Sequence, residues 1–75
     1  LAILGGRDDI VGRTQPRAAI EALKARGAPI ALHVFETATH AFDEPDARHP
    51  QVRYDAALTR RAQELAGAFL RALPP

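Results

Sequence analysis

The chain has 75 residues, which allows at most one small domain, and below roughly 80 residues a single hydrophobic core is seldom stable without a disulfide or a metal. It contains no cysteine, which excludes disulfides and thiolate metal sites but leaves the cellular compartment open. The net charge of +1 gives no basis for a nucleic-acid or acidic-membrane partner, and no apolar run approaches the roughly 20 residues of a membrane span.

The N-terminal half predicts a strand followed by a helix. Leu1–Leu4 is an apolar run typical of a strand buried on both faces, and the glycine pair that follows ends it. Thr14 is a good N-cap and Pro16 is tolerated in the first helical turn, so both predict a helix from about residue 16 to residue 26. Gly27 suits the left-handed position that closes such a helix.

The C-terminal half predicts a second strand, a long loop and a second helix. Ile30–Phe35 is largely apolar on both faces, which favours a parallel strand, and the strand–helix–strand order is a βαβ unit. Residues 37–53 form a polar loop, and loops of this length are often functional. Asp55 fits the N-cap of a helix over about 56–73, which Pro74 and Pro75 end. Its apolar stripe recurs at helical spacing, at Leu58, Ala62, Leu65, Phe69 and Leu73.

These predicted elements do not make a balanced domain. Two strands that need cover on both faces have only two helices, and two-stranded sheets are poorly stable alone. The chain is therefore expected to be part of a larger α/β domain or to be completed by a partner. The alternative to an enzyme is a non-catalytic βαβα interaction module, whose exposed sheet edge pairs with a strand of that partner.

The main candidates for chemistry are Asp8 and His40, each in the loop after a predicted strand. If the strands are parallel neighbours, both loops leave the same edge of the sheet, where open α/β folds place their functional groups. A carboxylate bonded to one imidazole nitrogen fixes the tautomer, and the other nitrogen can then accept a proton from a nucleophile. The alternative for Asp8 is a turn or capping role within its loop.

Other polar side chains have plainer interpretations. Asp9 is expected to face solvent or to bond a neighbour, although a swap of roles with Asp8 stays open. His33 is expected to be a structural strand residue, His49 a loop residue, and Phe42 a packing residue that positions His40. Arg48 and Arg53 are expected to be solvated surface charges, and contact with a substrate carboxylate is the less favoured role.

A metal site is the less favoured hypothesis for the acidic and imidazole groups of the loops. No pair of them has a recognised ligand motif such as His-Glu-x-x-His. The residues concerned are Asp8, Asp9, His40, Asp43, Glu44 and His49. We therefore expect neither a metal nor another cofactor.

Two segments resemble a known family. Leu4–Val11, with Gly5-Gly6-Arg7-Asp8, resembles the Gly-x-x-Asp segment that carries the triad acid in α/β-hydrolases. Glu36–Asp43 resembles the His-Ala/Gly-Phe segment of the dienelactone hydrolase family, and the likeness extends to Tyr54 ahead of the last helix. The order of acid before histidine is also that of α/β-hydrolase triads.

The resemblance implies that residues 1–75 are the C-terminal part of one α/β-hydrolase domain, its last two strands parallel and its last two helices on opposite faces of the sheet. Asp8 would then be the triad acid and His40 the general base in cleavage of an ester or lactone. The chain has no Ser or Cys, so the nucleophile elbow would lie in a missing N-terminal part. The isolated chain would accordingly be inactive, its partners being that missing part and a small-molecule ester or lactone.

Overall fold

A computed structural model of the chain describes residues 1–74, and Pro75 lies outside the described residues. The elements follow one another as strand, helix, strand and helix, with the bounds β1 (Ala2–Gly5), α1 (Gln15–Ala25), β2 (Leu32–Phe35) and α2 (Ala56–Arg71). This βαβα order confirms the predicted α/β class.

The two strands pair in parallel to form a two-stranded sheet. The register runs from Ala2 opposite Leu32 to Gly5 opposite Phe35. β2 begins two residues later than the predicted Ile30, because the N–H of Ile30 bonds back to the carbonyl of residue 28 at 2.9 Å and the chain is still turning there. The parallel pairing brings the carboxyl ends of both strands to one edge.

The ends of α1 confirm one predicted cap and correct the other. Thr14 occupies the N-cap position, but its backbone is already near-helical (φ −116°, ψ −38°) and its side chain makes no capping hydrogen bond. Gly27 has φ +92°, the left-handed conformation predicted for it. The N–H groups of Gly27 and Ala28 donate to the carbonyls of Lys24 and Leu23, at 2.9 and 3.1 Å, and close the helix.

The start of α2 follows the prediction closely. Asp55 is its N-cap, with extended backbone, and the carboxylate accepts a hydrogen bond from the N–H of Leu58 at 2.9 Å. The helix ends at Arg71, two residues before the predicted end. Asp55 thus fixes where α2 begins, and its own N–H donates to the carbonyl of Phe42 at 2.9 Å, which ties the helix to the loop after β2.

Very little of the structure is buried. Within residues 1–74, Ala38 is the one buried residue, at 1% exposure, and the residues of both strands are only half-buried. The accessible surface is 5542 Å², whereas a compact monomer of this mass would expose about 4,500 Å². The large apolar side chains left exposed are Leu1, Ile10, Val11, Leu23, Tyr54, Leu70 and Leu73.

Neither helix of the described chain is long and apolar enough to cross a membrane.

We expect residues 1–75, expressed alone, to be marginally stable or to aggregate, because both strands present unpaired edges and the apolar surface is uncovered. Size-exclusion chromatography with light scattering, together with urea unfolding followed by circular dichroism, measures this. A monomer with a cooperative unfolding transition would contradict the expectation.

Candidate active site

The parallel strands bring Asp8 and His40 into contact at the carboxyl edge of the sheet. Asp8 lies in the loop after β1 and His40 in the loop after β2. Although 32 positions separate them in sequence, Oδ2 of Asp8 lies 3.0 Å from Nδ1 of His40. The two candidate residues therefore form one hydrogen-bonded pair.

Asp8 is held by its own loop as well as by the imidazole. Its Oδ1 accepts hydrogen bonds from the backbone N–H groups of Ile10 at 3.1 Å and Val11 at 2.8 Å. The turn role considered as an alternative for Asp8 is thus present, but it uses one oxygen and leaves Oδ2 for His40. Two backbone donors on one oxygen orient the carboxylate plane toward the second loop.

The charge state of Asp8 determines the tautomer of His40. Partial burial acts to raise the pKa of the Asp8 carboxyl, but the backbone donors and the imidazole outweigh it and hold the pKa below its usual value of 3.8. An ionised carboxylate can only accept hydrogen bonds, so Nδ1 of His40 must carry the proton. The hydrogen bonds of the described residues engage only Nδ1 of this ring, which leaves Nε2 as the atom able to accept a proton.

Two glycines allow the acid loop and the histidine loop to approach this closely. A Cβ at Gly5 would lie 2.6 Å from the carbonyl oxygen of Ala38, and a Cβ at Gly6 would lie 2.6 Å from the Cα of Glu36. Backbone, not a flexible side chain, occupies both positions. The contact is reinforced by the Arg7 N–H, which donates to the Ala38 carbonyl at 2.9 Å. Any side chain at these glycines would push the histidine loop away.

The backbone around His40 is strained. Ala41, directly after it, has φ +51°, a left-handed conformation that costs a residue with a Cβ about 1–2 kcal/mol. Such a conformation persists only where surrounding contacts hold it. The carbonyl of Ala41 accepts from the N–H of Glu44 at 3.0 Å, which forms a tight turn immediately beyond the imidazole.

Contacts on both sides of this turn hold it in place. Before it, the Thr39 hydroxyl accepts from the N–H of Arg53 at 2.8 Å. After it, the Phe42 carbonyl accepts from the N–H of Asp55, and the Phe42 ring packs edge-on against Phe35 with 5.8 Å between ring centroids. Phe42 thus has the packing position expected of it. The link between Thr39 and Arg53 was not predicted, since two residues 14 positions apart in a loop carry no sequence pattern.

A half-open pocket lies beside the pair. Its volume is about 260 Å³, and apolar side chains line most of it together with Asp8 and His40. The apolar members are Ile3, Leu4, Val11, Pro16, Val34, Ala41 and Phe42. The other polar side chains of the lining are Arg13, Arg17 and Thr39. The imidazole is 39% exposed while the Asp8 side chain is 16% exposed, so the acid is shielded and the base is accessible.

The remaining candidates lie outside the pair. Asp9 bonds Arg13 through two contacts of 2.6 and 3.0 Å, and this guanidinium holds the pKa of the Asp9 carboxyl below its usual value. His49 accepts the N–H of Gln51 through its Nδ1 at 3.1 Å, and His33 is a strand residue. Across residues 1–74 no three His, Asp or Glu side chains converge to hold a metal ion.

The described residues supply no nucleophile for His40. The hydroxyls of Thr39 and Thr59 donate to backbone carbonyls, and no threonine hydroxyl of residues 1–74 is hydrogen-bonded to the imidazole. The arrangement can accept a proton at Nε2 and stabilise the resulting imidazolium. It cannot by itself form a covalent intermediate.

Comparison with known proteins identifies one family. The sequence profile of the dienelactone hydrolase family matches residues 1–73, nearly the whole chain. Searches of curated proteins and of solved structures found no match. The matched range includes both loops of the Asp8–His40 pair.

We expect Gly5→Ala, made in the full-length protein, to break the contact between Asp8 and His40, because the new methyl would overlap the Ala38 carbonyl. Forcing such an overlap costs about 1–3 kcal/mol of unfolding free energy. The low-field proton NMR signal of the His40 Nδ1–H should disappear.

Gly67→Ala is the matched control. The nearest atoms to a Cβ there belong to the flexible end of the Arg71 side chain, and alanine is favoured over glycine within a helix by about 1 kcal/mol. The control should keep the NMR signal. Retention of the signal by Gly5→Ala as well would contradict the role given to the glycine.

Proposed function

We propose, because this chain belongs to the dienelactone hydrolase family, that it is the C-terminal part of a hydrolase domain that cleaves a carboxylic ester or lactone. Asp8 is the acid and His40 the general base of its catalytic triad. The third member, a Ser or Cys nucleophile, lies in the N-terminal part of the same domain. Family membership supports hydrolase chemistry as such, and the assignment of these two residues is the proposal.

One observation carries the proposal. Nδ1 of His40 lies 3.0 Å from Oδ2 of Asp8, and the exposed imidazole borders the apolar pocket. A triad base needs one ring nitrogen fixed by a carboxylate and the other within reach of a nucleophile. The pair meets the first requirement, and an accessible Nε2 is compatible with the second.

In the proposed reaction, the upstream hydroxyl or thiol attacks the substrate carbonyl while Nε2 of His40 takes its proton. Asp8 keeps the proton on Nδ1 and stabilises the imidazolium that forms. His40 then gives the proton to the oxygen of the leaving group, and the acyl group stays bonded to the nucleophile. A water that loses its proton to Nε2 attacks this acyl group, and His40 returns the proton to the nucleophile as the acid product leaves. The reaction requires no cofactor.

The surface of the chain supports its place within a larger domain. Both strands have an unpaired edge, and Ala38 alone is buried among residues 1–74. An open sheet of this kind gains its stability from further strands on an edge and helices on its faces. The N-terminal part of the domain would supply them together with the nucleophile, so the isolated chain is proposed to be inactive.

In the full-length enzyme, we expect His40→Ala to abolish turnover and Asp8→Asn to lower the rate by about 10⁴-fold, the loss measured for the triad acid of a serine protease. Initial rates of ester hydrolysis measure both, and circular dichroism checks that each variant folds. His49→Ala and Asp9→Asn are the matched controls, since each replaces the same residue type in the same loop regions. Near-normal rates in either site variant would refute the assignment, and loss in Asp9→Asn alone would move the acid role to Asp9.

We also expect the coding sequence upstream of Leu1 to contain a strand, a Gly-x-Ser-x-Gly or Gly-x-Cys-x-Gly elbow and a helix. Reading the complete gene, and replacing the elbow Ser or Cys by Ala in the esterase assay, tests this. A start codon directly before Leu1 would instead favour the non-catalytic module that pairs with a partner's sheet.

A further inference from the structure

The Thr39 hydroxyl joins the two ends of the loop that carries His40. It accepts the N–H of Arg53 at 2.8 Å. Its own proton has two acceptors within reach, the carbonyl of His40 at 3.2 Å and that of Arg53 at 3.3 Å. One hydroxyl therefore connects the residue before the imidazole to a residue 14 positions further along.

We propose that Thr39 is a positioning residue for His40, an inference that rests on the function proposed above. Its hydroxyl closes the loop of residues 40–52 and holds the His40 backbone at the place where the imidazole meets Asp8. Thr39 does not touch the reacting atoms in this role. It acts through the backbone of its neighbour.

The strain at Ala41 explains why such an anchor matters. The left-handed turn of Ala41 lies between two fixed points, the Thr39–Arg53 link and the Phe42 carbonyl bonded to the N–H of Asp55. These two contacts hold the backbone on either side of Ala41, which is the condition under which a left-handed residue with a Cβ persists. Loss of the hydrogen bond between Thr39 and Arg53 would let the turn at Ala41 relax. The ring of His40, the residue directly before Ala41, would then move away from Oδ2 of Asp8.

The chain offers a matched control in Thr37. It lies two residues earlier in the same loop, is exposed, and its hydroxyl takes part in none of the hydrogen bonds of the described residues, whereas Thr39 is half-buried. Replacement of either threonine by valine removes a hydroxyl and keeps the β-branched shape. A difference between the two variants therefore reports the hydrogen bonds of Thr39.

The test uses Thr39→Val, Thr39→Ser and Thr37→Val in the full-length enzyme. We expect Thr39→Val to lower kcat by about 10–10²-fold, the scale of an ångström-level misplacement of a catalytic group, with KM changed less than about twofold. Thr39→Ser, which keeps the hydroxyl, should restore most of kcat, and Thr37→Val should match the unaltered enzyme. The low-field NMR signal of the His40 Nδ1–H should weaken in Thr39→Val alone.

Each outcome separates the possibilities. Normal kcat in Thr39→Val, or equal loss in Thr39→Ser and Thr39→Val, overturns the positioning role, and a change confined to KM shows contact with substrate instead. If Thr39→Val does not fold, Thr39→Ala replaces it in the comparison with Thr39→Ser. An unaltered enzyme that hydrolyses neither esters nor lactones refutes the proposed function, while the NMR comparison still decides whether Thr39 positions His40.

Discussion

The close approach of two backbone segments is the constraint on which the site depends. The strand end at Gly5-Gly6 passes so near residues 36–39 that no Cβ fits between them. Asp8 and His40 come from separate loops, and their side chains meet where these two loops lie close together. The 3.0 Å hydrogen bond between them therefore depends on Gly5 and Gly6, whose lack of a Cβ lets the two backbone segments lie this close.

The two halves of the pair are held in different ways. Asp8 is fixed by its nearest neighbours, the N–H groups of Ile10 and Val11, so a short loop suffices to orient it. His40 depends on distant contacts, because Thr39 bonds Arg53 and the Phe42 carbonyl bonds the N–H of Asp55. The same Asp55 caps α2. The start of the last helix and the placement of the imidazole are thus mechanically linked.

Features set by the topology of the regular elements, and most of those set by single residues, were predictable from sequence, whereas contacts within the irregular loop after β2 were not. Parallel pairing and the positions of Asp8 and His40 after their strands sufficed to predict that the side chains meet. The Asp55 cap and the left-handed Gly27 follow from the chemistry of single residues. The predicted side-chain cap of Thr14 was wrong, because its near-helical backbone leaves the hydroxyl without an N–H to accept.

Other features carried no sequence signal that could have revealed them. Ala41 at φ +51° is an ordinary alanine in the sequence, and a positive φ at a residue with a Cβ persists only where surrounding contacts hold it. The link between Thr39 and Arg53 joins two ends of an irregular loop, where no periodicity relates one position to another. The predicted roles of Asp8 and His40 in catalysis depend on a nucleophile that residues 1–75 do not contain, so they stay predictions.

The exposure of the chain and the exposure of His40 have one explanation under the proposed function. The surface of 5542 Å² exceeds that of a compact monomer by about 1,000 Å², more than the roughly 800 Å² that one partner contributes to a standard protein interface. A general base that serves a nucleophile from another segment must keep Nε2 uncovered until that segment is in place. The Asp8 side chain is shielded by its own loop, whereas the His40 imidazole is 39% exposed. This fits a site in which contacts within residues 1–75 fix the acid, and the base faces the segment that supplies the nucleophile. The missing partner and the missing nucleophile would then be the same segment.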